Sequence, residues 1–309
     1  MIKDPGGRGG PVIAVHAGAG ALTRKLTEHD RECRAVLLEV LANARRLLEQ
    51  GVGAVEVART AVTIMEDFEL FNAGRGSALC SDGSVQMSAS LMRGVDRAAG
   101  AVAGVRHTKN PILGASAVLD SPQVLLIGEY ADEYARAHGV EQCANEYFIT
   151  ERQQGNLQRH FGDSPGTVGA VCLDASGLLA AATSTGGVLG QPPGRVGDSP
   201  LIGAGNWADR RVAVSCTGDG EMFIRSGASR SIAALIEHGV SLGAATDGAL
   251  ADVAQLGGSG GLIACDSAGA VALPFSTRAM PRGLWRAGTE PVAWVTEPAW
   301  RAGGAPEAR

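Results

Sequence analysis

The chain has 309 residues, 45% of them hydrophobic and 19% charged, enough to bury a large core, and it lacks an apolar run long enough to span a bilayer. Its formal net charge is −5 and no basic block carries interleaved aromatics, which argues against nucleic acid or an anionic membrane surface as a partner. Glycine occurs 44 times against 4% aromatics, a balance that favours close backbone approach and tight turns over aromatic-filled cores.

The opening stretch MIKDPGGRGG has no apolar h-region, so no secretory signal is expected. Residues 11–16, PVIAVH, predict a short buried strand that runs into AGAG. Glycine loops after strands can cradle phosphate, but the spacing here is neither GxGxxG nor GxxxxGK[ST], and a tight structural turn is expected. Val36, Leu37, Val40, Leu41, Ala44, Leu47 and Leu48 recur at helical spacing and Gly51 follows as a stop, so a helix is expected over 30–50. A second is expected from about Ala54 to Asp67. The stretch FNAGRGSALCSDGSVQMSASLMRG reads as a β-hairpin around Ser81-Asp82-Gly83, and GAVAGVRH and QVLLIG read as strands. Residues 140–166 are polar and weakly periodic, the best candidate for a mobile linker.

Beyond it, TVGAVCLDASGLLAAATSTGG predicts strand, turn and strand, and RVAVSCTGDG a strand ending on a glycine loop. Helices are expected over 226–239 and about 243–254, and GGSGGLIACDSAGAVALPF again reads strand, turn, strand. No repeat of fixed period occurs, and the fold class is α+β, an antiparallel sheet covered by helices.

The six cysteines, at 33, 80, 143, 172, 216 and 265, form no CxxC pair and no Cys/His cluster. They read as small buried hydrophobes in a reduced, cytoplasmic compartment. Arg45-Arg46 and Arg210-Arg211 read as solvated pairs. No GxSxG elbow occurs, and a lone His16 at a strand end is more often structural than catalytic. Thr167, Thr183, Thr185 and Thr217, taken singly, fit ordinary strand propensity. Arg195 and Asp198, in PPGRVGDSP, form either a local salt bridge or a clamp for a zwitterion, guanidinium to carboxylate and carboxylate to ammonium.

Together these stretches resemble the plant-type L-asparaginase / isoaspartyl peptidase family of threonine-type N-terminal-nucleophile hydrolases. The resemblance rests on VIAVHAGAG, LFNAGRGSAL, AVAGVRHTKNPI, GTVGAVCLDASGLLAAATSTGGVLGQPPGRVGDSPLIGAGNWAD, VSCTGDGEMFIR and LGGSGGLIACDSAGAVALPF, in order from about residue 12 to 287. It implies a single-domain, four-layer αββα sandwich made as a precursor. That precursor cleaves itself between Gly166 and Thr167 into subunits 1–166 and 167–309.

The resemblance also implies the site. Thr167 is nucleophile and, through its freed α-amine, base. Thr185 orients it, and the Thr217 hydroxyl and Gly218 N–H form the oxyanion hole. Arg195 binds the substrate α-carboxylate, Asp198 and the Gly220 carbonyl bind the α-ammonium, and Asn72 lies near the centre. Substrates are L-asparagine and β-aspartyl dipeptides, with no cofactor needed for catalysis, and the assembly is a homodimer of αβ units. A structural sodium is implied on backbone carbonyls of Met65, Glu66, Phe68, Phe71, Ala73 and Arg75. A glycosylasparaginase-type hydrolase and a non-maturing relative are the rival expectations. Four positions depart from the family pattern: Ser88 and Arg93 stand where Asp is usual, Pro165 precedes the Gly-Thr pair, and HAGAG replaces HGGAG.

Overall fold

A computed structural model of the chain describes residues 10–20, 29–159, 166–295 and 300–301. Two sheets carry the fold. The larger contains β1 (Val12–His16), β2 (Met87–Arg93), β3 (Ala99–Val105), β4 (Leu125–Ile127), β5 (Val168–Leu173), β6 (Leu179–Thr185), β11 (Arg282–Arg286) and β12 (Val292–Trp294). Its strand order is β12-β11-β1-β5-β6-β2-β3-β4, antiparallel throughout except between β3 and β4. The smaller contains β7 (Asn206–Ala208), β8 (Val212–Gly218), β9 (Gly260–Asp266), β10 (Val271–Leu273) and β13 (Trp300–Arg301), ordered β13-β10-β9-β8-β7.

Both faces of the central strands are buried, and their alternation divides the core in two. Ile13, Val15, Ala170, Cys172, Ala180 and Ala182 point one way, into a cluster shared with α1 (Asp30–Glu49), α2 (Ala54–Glu66) and α3 (Pro111–Leu119). Val12, Ala14, Val171, Leu173 and Ala181 point the other way, into a second cluster. This one is shared with the smaller sheet and with α7 (Ala228–Glu237) and α8 (Leu242–Gln255). Each fully buried Val, Leu or Ile in these clusters contributes about 1.5–3 kcal/mol of transfer free energy. Between the sheets the residues are small, and Gly169 shows why. A Cβ there would lie 2.0 Å from Ser215 Oγ and 2.4 Å from His16 Nε2.

The helices over 30–50 and 54–67 and the hairpin β5–β6 form as the sequence predicts. Three expectations are corrected. Ser81-Asp82-Gly83 is a turn, with Gly83 N–H donating to the Cys80 carbonyl, but it joins no paired strands. The hairpin is β2–β3, closed around Val95–Arg97, and Arg97 carries the positive φ (+61°) of that turn. The described part of the expected 140–166 linker, residues 140–159, is not featureless: a short 3₁₀ turn spans Asn145–Phe148 and α5 (Glu151–Gln158) follows, while 160–165 lie outside the described residues. The Thr150 hydroxyl caps α5 by accepting from Gln153 N–H, and Arg152 and Gln153 donate to the Gly76 carbonyl, tying the segment to the body. Its polarity is spent on these backbone contacts, which hydrophobic periodicity does not register. Pro165 lies outside the described residues.

The third correction concerns element bounds. QVLLIG contributes only Leu125–Ile127, and α4 (Gly128–Ala137) follows directly. The helix expected over 226–239 is interrupted by Gly227 at φ +56°, separating α6 (Gly220–Ser226) from α7.

Candidate active site

The strand order puts Thr167 at the centre of one sheet edge. β5 runs antiparallel to both neighbours, so its start lies beside the ends of β1 and β6. The loop after β1 therefore flanks Thr167 on one side and the loop after β6 on the other. Thr167 is buried, and its peptide link from Gly166 puts it at φ +20°, a region a β-branched residue avoids at a cost of about 1–3 kcal/mol. Its hydroxyl donates to Thr185 Oγ1 at 3.2 Å and lies 3.4 Å from Ser199 Oγ. Thr185 Oγ1 also accepts from Gly187 N–H at 3.0 Å, which fixes its orientation. Ser199 was not among the residues singled out by sequence; a serine in a Pro/Gly loop carries no signal of its own.

The HAGAG turn packs over the Gly166–Thr167 bond. Gly18 has φ +101°, and a Cβ there would lie 2.3 Å from the Gly166 carbonyl oxygen. Ala19 N–H donates to Thr217 Oγ1 at 3.1 Å, and that hydroxyl oxygen would be 3.6 Å from a Cβ on Gly166. Gly218 is equally constrained, with φ +144° and a would-be Cβ 2.4 Å from Gly260 Cα. Thr217 and Gly218 thus stand at the end of β8, in the second sheet, with Thr217 beside Gly166 and Gly218 on the same cavity as Thr167.

His16 belongs to a buried chain of hydrogen bonds beneath Thr167. Its Nδ1 accepts from Gly18 N–H at 3.4 Å, which assigns the proton to Nε2. Nε2–H then donates to Ser215 Oγ at 2.9 Å, Ser215 to Thr183 Oγ1 at 2.8 Å, and Thr183 to the Gly205 carbonyl at 3.4 Å. Burial holds the imidazole neutral, lowering its pKa to about 3, against a smaller raising effect of the Thr167 backbone. His16 is thus satisfied and structural, and it braces the strand carrying Thr167.

Arg195 and Asp198 do share a site, but they do not pair as a local salt bridge. Arg195 Nε and Nη2 both donate to the Glu221 carboxylate at 2.9 Å, and Nη1 donates to Gln191 Oε1 at 3.4 Å. Glu221, on the first turn of α6, was not picked out from sequence. With Nε, Nη2 and Nη1 each giving one N–H to Glu221 or Gln191, one N–H remains on each of Nη1 and Nη2 to grip a carboxylate. Asp198 is buried, its Oδ2 has no hydrogen-bond partner, and burial pushes its carboxyl up to about 7. Gly220 lies between them: a Cβ there would be 2.9 Å from Asp198 Oδ1 and 3.1 Å from Arg195 Nη2. The pair offers a cation and an unsatisfied acceptor side by side, which suits an α-amino acid.

These groups line one open cavity of about 400 Å³. One wall holds Gly187, Val188, Arg195 and Asp198; the opposite wall holds Ala19, Gly20 and Ser276–Arg278; Thr167 and Thr185 lie between. Asn72 sits just behind: its Nδ2–H donates to the Gly187 carbonyl at 2.7 Å, its own carbonyl accepts from Gly186 N–H, and Oδ1 accepts from Ala78 N–H. It therefore shapes the turn after Thr185. The two lost carboxylate positions find other partners. Ser88 lies opposite Thr185 in the β2–β6 register and accepts from Gly104 N–H, while Arg93 pairs with Asp96 and Asp120.

The segment Met65–Arg75 folds back on itself. A Cβ on Gly74 would lie 2.3 Å from the Glu66 carbonyl oxygen, and one on Gly76 would lie 2.0 Å from that of Phe71 and 2.5 Å from that of Glu69. The Glu66 side chain is buried, accepts from Ser184 Oγ–H and Ile112 N–H, and is pushed up to about 8 by burial. Among the described residues, no group of three or more His, Cys, Asp or Glu could hold a metal. None of their helices is long and apolar enough to cross a membrane.

Known proteins resemble this chain over most of its length. A family model described as asparaginase matches residues 9–293. The isoaspartyl peptidase of Escherichia coli K12 is 44% identical over 93% of this chain and 96% of its own. A probable isoaspartyl peptidase/L-asparaginase of Arabidopsis thaliana is 38% identical over 89% and 95%, and the human isoaspartyl peptidase/L-asparaginase 37% identical over 88% and 92%.

Proposed function

The chain belongs to the asparaginase family, and from that premise we propose that it is an amidohydrolase acting on L-asparagine and β-aspartyl dipeptides through Thr167. The observation that carries the reading is the Thr167 hydroxyl, hydrogen-bonded to Thr185 inside the cavity that also holds Arg195 and the unsatisfied Asp198.

A threonine hydroxyl needs a base, and within the uncut chain its own nitrogen is an amide that cannot serve. Cleavage of the Gly166–Thr167 bond frees an α-amine with an ordinary pKa of about 7.7–8.0, neutral enough near neutral pH to take the hydroxyl proton. The φ of +20° at Thr167 favours this cleavage, since breaking the bond releases the strain. In the mature enzyme Arg195 binds the substrate α-carboxylate, and Asp198 with the Gly220 carbonyl binds the ammonium. The β-carboxamide carbon is thereby held over Thr167 Oγ1. Thr217 Oγ1–H and Gly218 N–H stabilise the developing oxyanion, the term expected to matter most. Collapse releases ammonia or an amino acid, with the departing nitrogen taking the proton held by the α-amine. Water then hydrolyses the aspartyl ester to L-aspartate. Every step uses the chain's own groups, and no cofactor is called for.

The finer picture belongs to the same proposal: a four-layer αββα sandwich, subunits 1–166 and 167–309, and a cytoplasmic homodimer of αβ units. The core shared between the two sheets supports the layered sandwich, and the six free cysteines support a reducing compartment. By the same reading a structural sodium would sit on backbone carbonyls of Met65, Glu66, Phe68, Phe71, Ala73 and Arg75 and stiffen the loop leading to Asn72; the tight fold-back of Gly74 onto the Glu66 carbonyl supports it. Denaturing gels of purified protein test the central claim. Wild type should run as two fragments and hydrolyse β-Asp-Leu, whereas Thr167→Ala should stay whole and inert. A Thr167→Ala protein that still turns over would refute the assignment of the nucleophile.

A further inference from the structure

We infer that Arg278 is a specificity residue: it binds the carboxylate of the amino acid leaving a β-aspartyl dipeptide, and so favours such peptides over L-asparagine. The inference rests on the hydrolase reading above.

The sheet order sets up the argument. Arg195 and Asp198 follow β6, on one flank of Thr167, and they fix the aspartyl half of the substrate. The other flank is the loop after β1, pinned to the chain ahead of β11 by paired backbone hydrogen bonds between Gly20 and Ala279. Arg278 is the next residue, exposed on the cavity wall with Ser276 and Thr277. With the α-carboxylate and ammonium held by Arg195 and Asp198, the scissile amide nitrogen must lie on the side away from them, toward this second wall.

The charges are matched unequally. Of the two cations among the described residues lining the cavity, Arg195 is already held by Glu221. Arg278 makes no hydrogen bond or ion pair with any described residue. A dipeptide leaving group carries its own carboxylate on the carbon attached to the scissile nitrogen. L-asparagine releases ammonia and carries nothing there. Only the dipeptide can therefore use the free guanidinium, and the long, flexible arginine stem reaches across a rim open to solvent.

The test crosses protein and substrate changes. Steady-state kcat/KM is measured for mature wild type, Arg278→Gln and Arg278→Glu on β-Asp-Leu, on β-Asp-Leu carrying a C-terminal carboxamide, and on L-asparagine. The expected loss on β-Asp-Leu is about threefold for Gln and about tenfold for Glu, the scale of an exposed ion pair and its reversal. The carboxamide and L-asparagine act as controls, with both variants near wild type. The preference for the carboxylate should also shrink in high salt. Equal losses on all three substrates, or none on β-Asp-Leu, overturn the assignment while leaving the hydrolase reading intact. A cleaved wild-type protein inert on all three overturns both.

Discussion

Asp198 offers the sharpest test of the substrate clamp, through its burial. Its carboxyl is lifted from 3.8 to about 7 with one oxygen unpartnered, a desolvation cost on the order of 4 kcal/mol for the charged form. The sign is fixed: below pH 7 the group is neutral in the free enzyme and offers no charge to an ammonium. Because the proposed mechanism also needs the Thr167 α-amine unprotonated, kcat/KM for L-asparagine should fall below pH 7 with a slope approaching two protons. The bound ammonium restores a partner to Asp198, so kcat should fall with only one. In Asp198→Asn the second proton disappears from the kcat/KM profile, and kcat/KM at pH 8 drops by about a hundred- to a thousandfold, the scale of losing one partner of a buried charge pair. The same raised pKa means folding stability is lost as pH rises from 3.8 through about 7. Asp198→Asn should therefore raise Tm at pH 8 while crippling turnover. Ammonia release, coupled to a dehydrogenase and followed by absorbance, provides the rates, and thermal melts the stability. An Asn variant within tenfold of wild type, or one retaining the two-proton slope, would refute the reasoning.

Three further outcomes follow from named contacts. Glu221→Gln weakens the grip that aims the Arg195 fork, so KM for L-asparagine should rise about fivefold with kcat nearly unchanged, as steady-state kinetics will read. Gly18→Ala drives a methyl to within 2.3 Å of the Gly166 carbonyl at φ +101°, and a time course on denaturing gels should show slowed or absent cleavage; wild-type speed would rule out that close approach. His16, buried neutral with its pKa lowered to about 3, stabilises the fold above pH 6.5 and progressively less as pH falls toward 3. Asp198 and Glu66, with raised pKa values, gain stability as pH falls and oppose this trend, so the His16 share is read by difference: the excess urea stability of wild type over His16→Gln at pH 7 should shrink as pH falls from 6.5 toward 3.

Much of the site was legible in the residues. Thr167, Thr185 and Thr217 each end or open a strand of small residues, and Arg195 and Asp198 share a loop of glycine and proline that can turn both side chains the same way. The strand-turn-strand of β5–β6 was legible because adjacent strands joined by a short connection, residues 174–178, need no distant partner. What the sequence could not rank was which loops face one another. Nothing local marks Glu221 as the holder of Arg195, Ser199 as a neighbour of Thr167, or His16 as the head of a relay ending at Gly205, because those partners lie 26, 32 and up to 199 residues apart and meet only where two sheets close. The same limit explains the misplaced first-half hairpin and the polar segment read as a linker: the turn at 81–83 has ideal local chemistry, yet strand pairing is decided by which edges the core leaves open. The sequence determined the chemistry on offer, a threonine, a guanidinium and a carboxylate. The tertiary structure decided that the carboxylate is buried and unpaired, the guanidinium half-engaged and the threonine strained, since desolvation, partner choice and backbone dihedral all arise from packing.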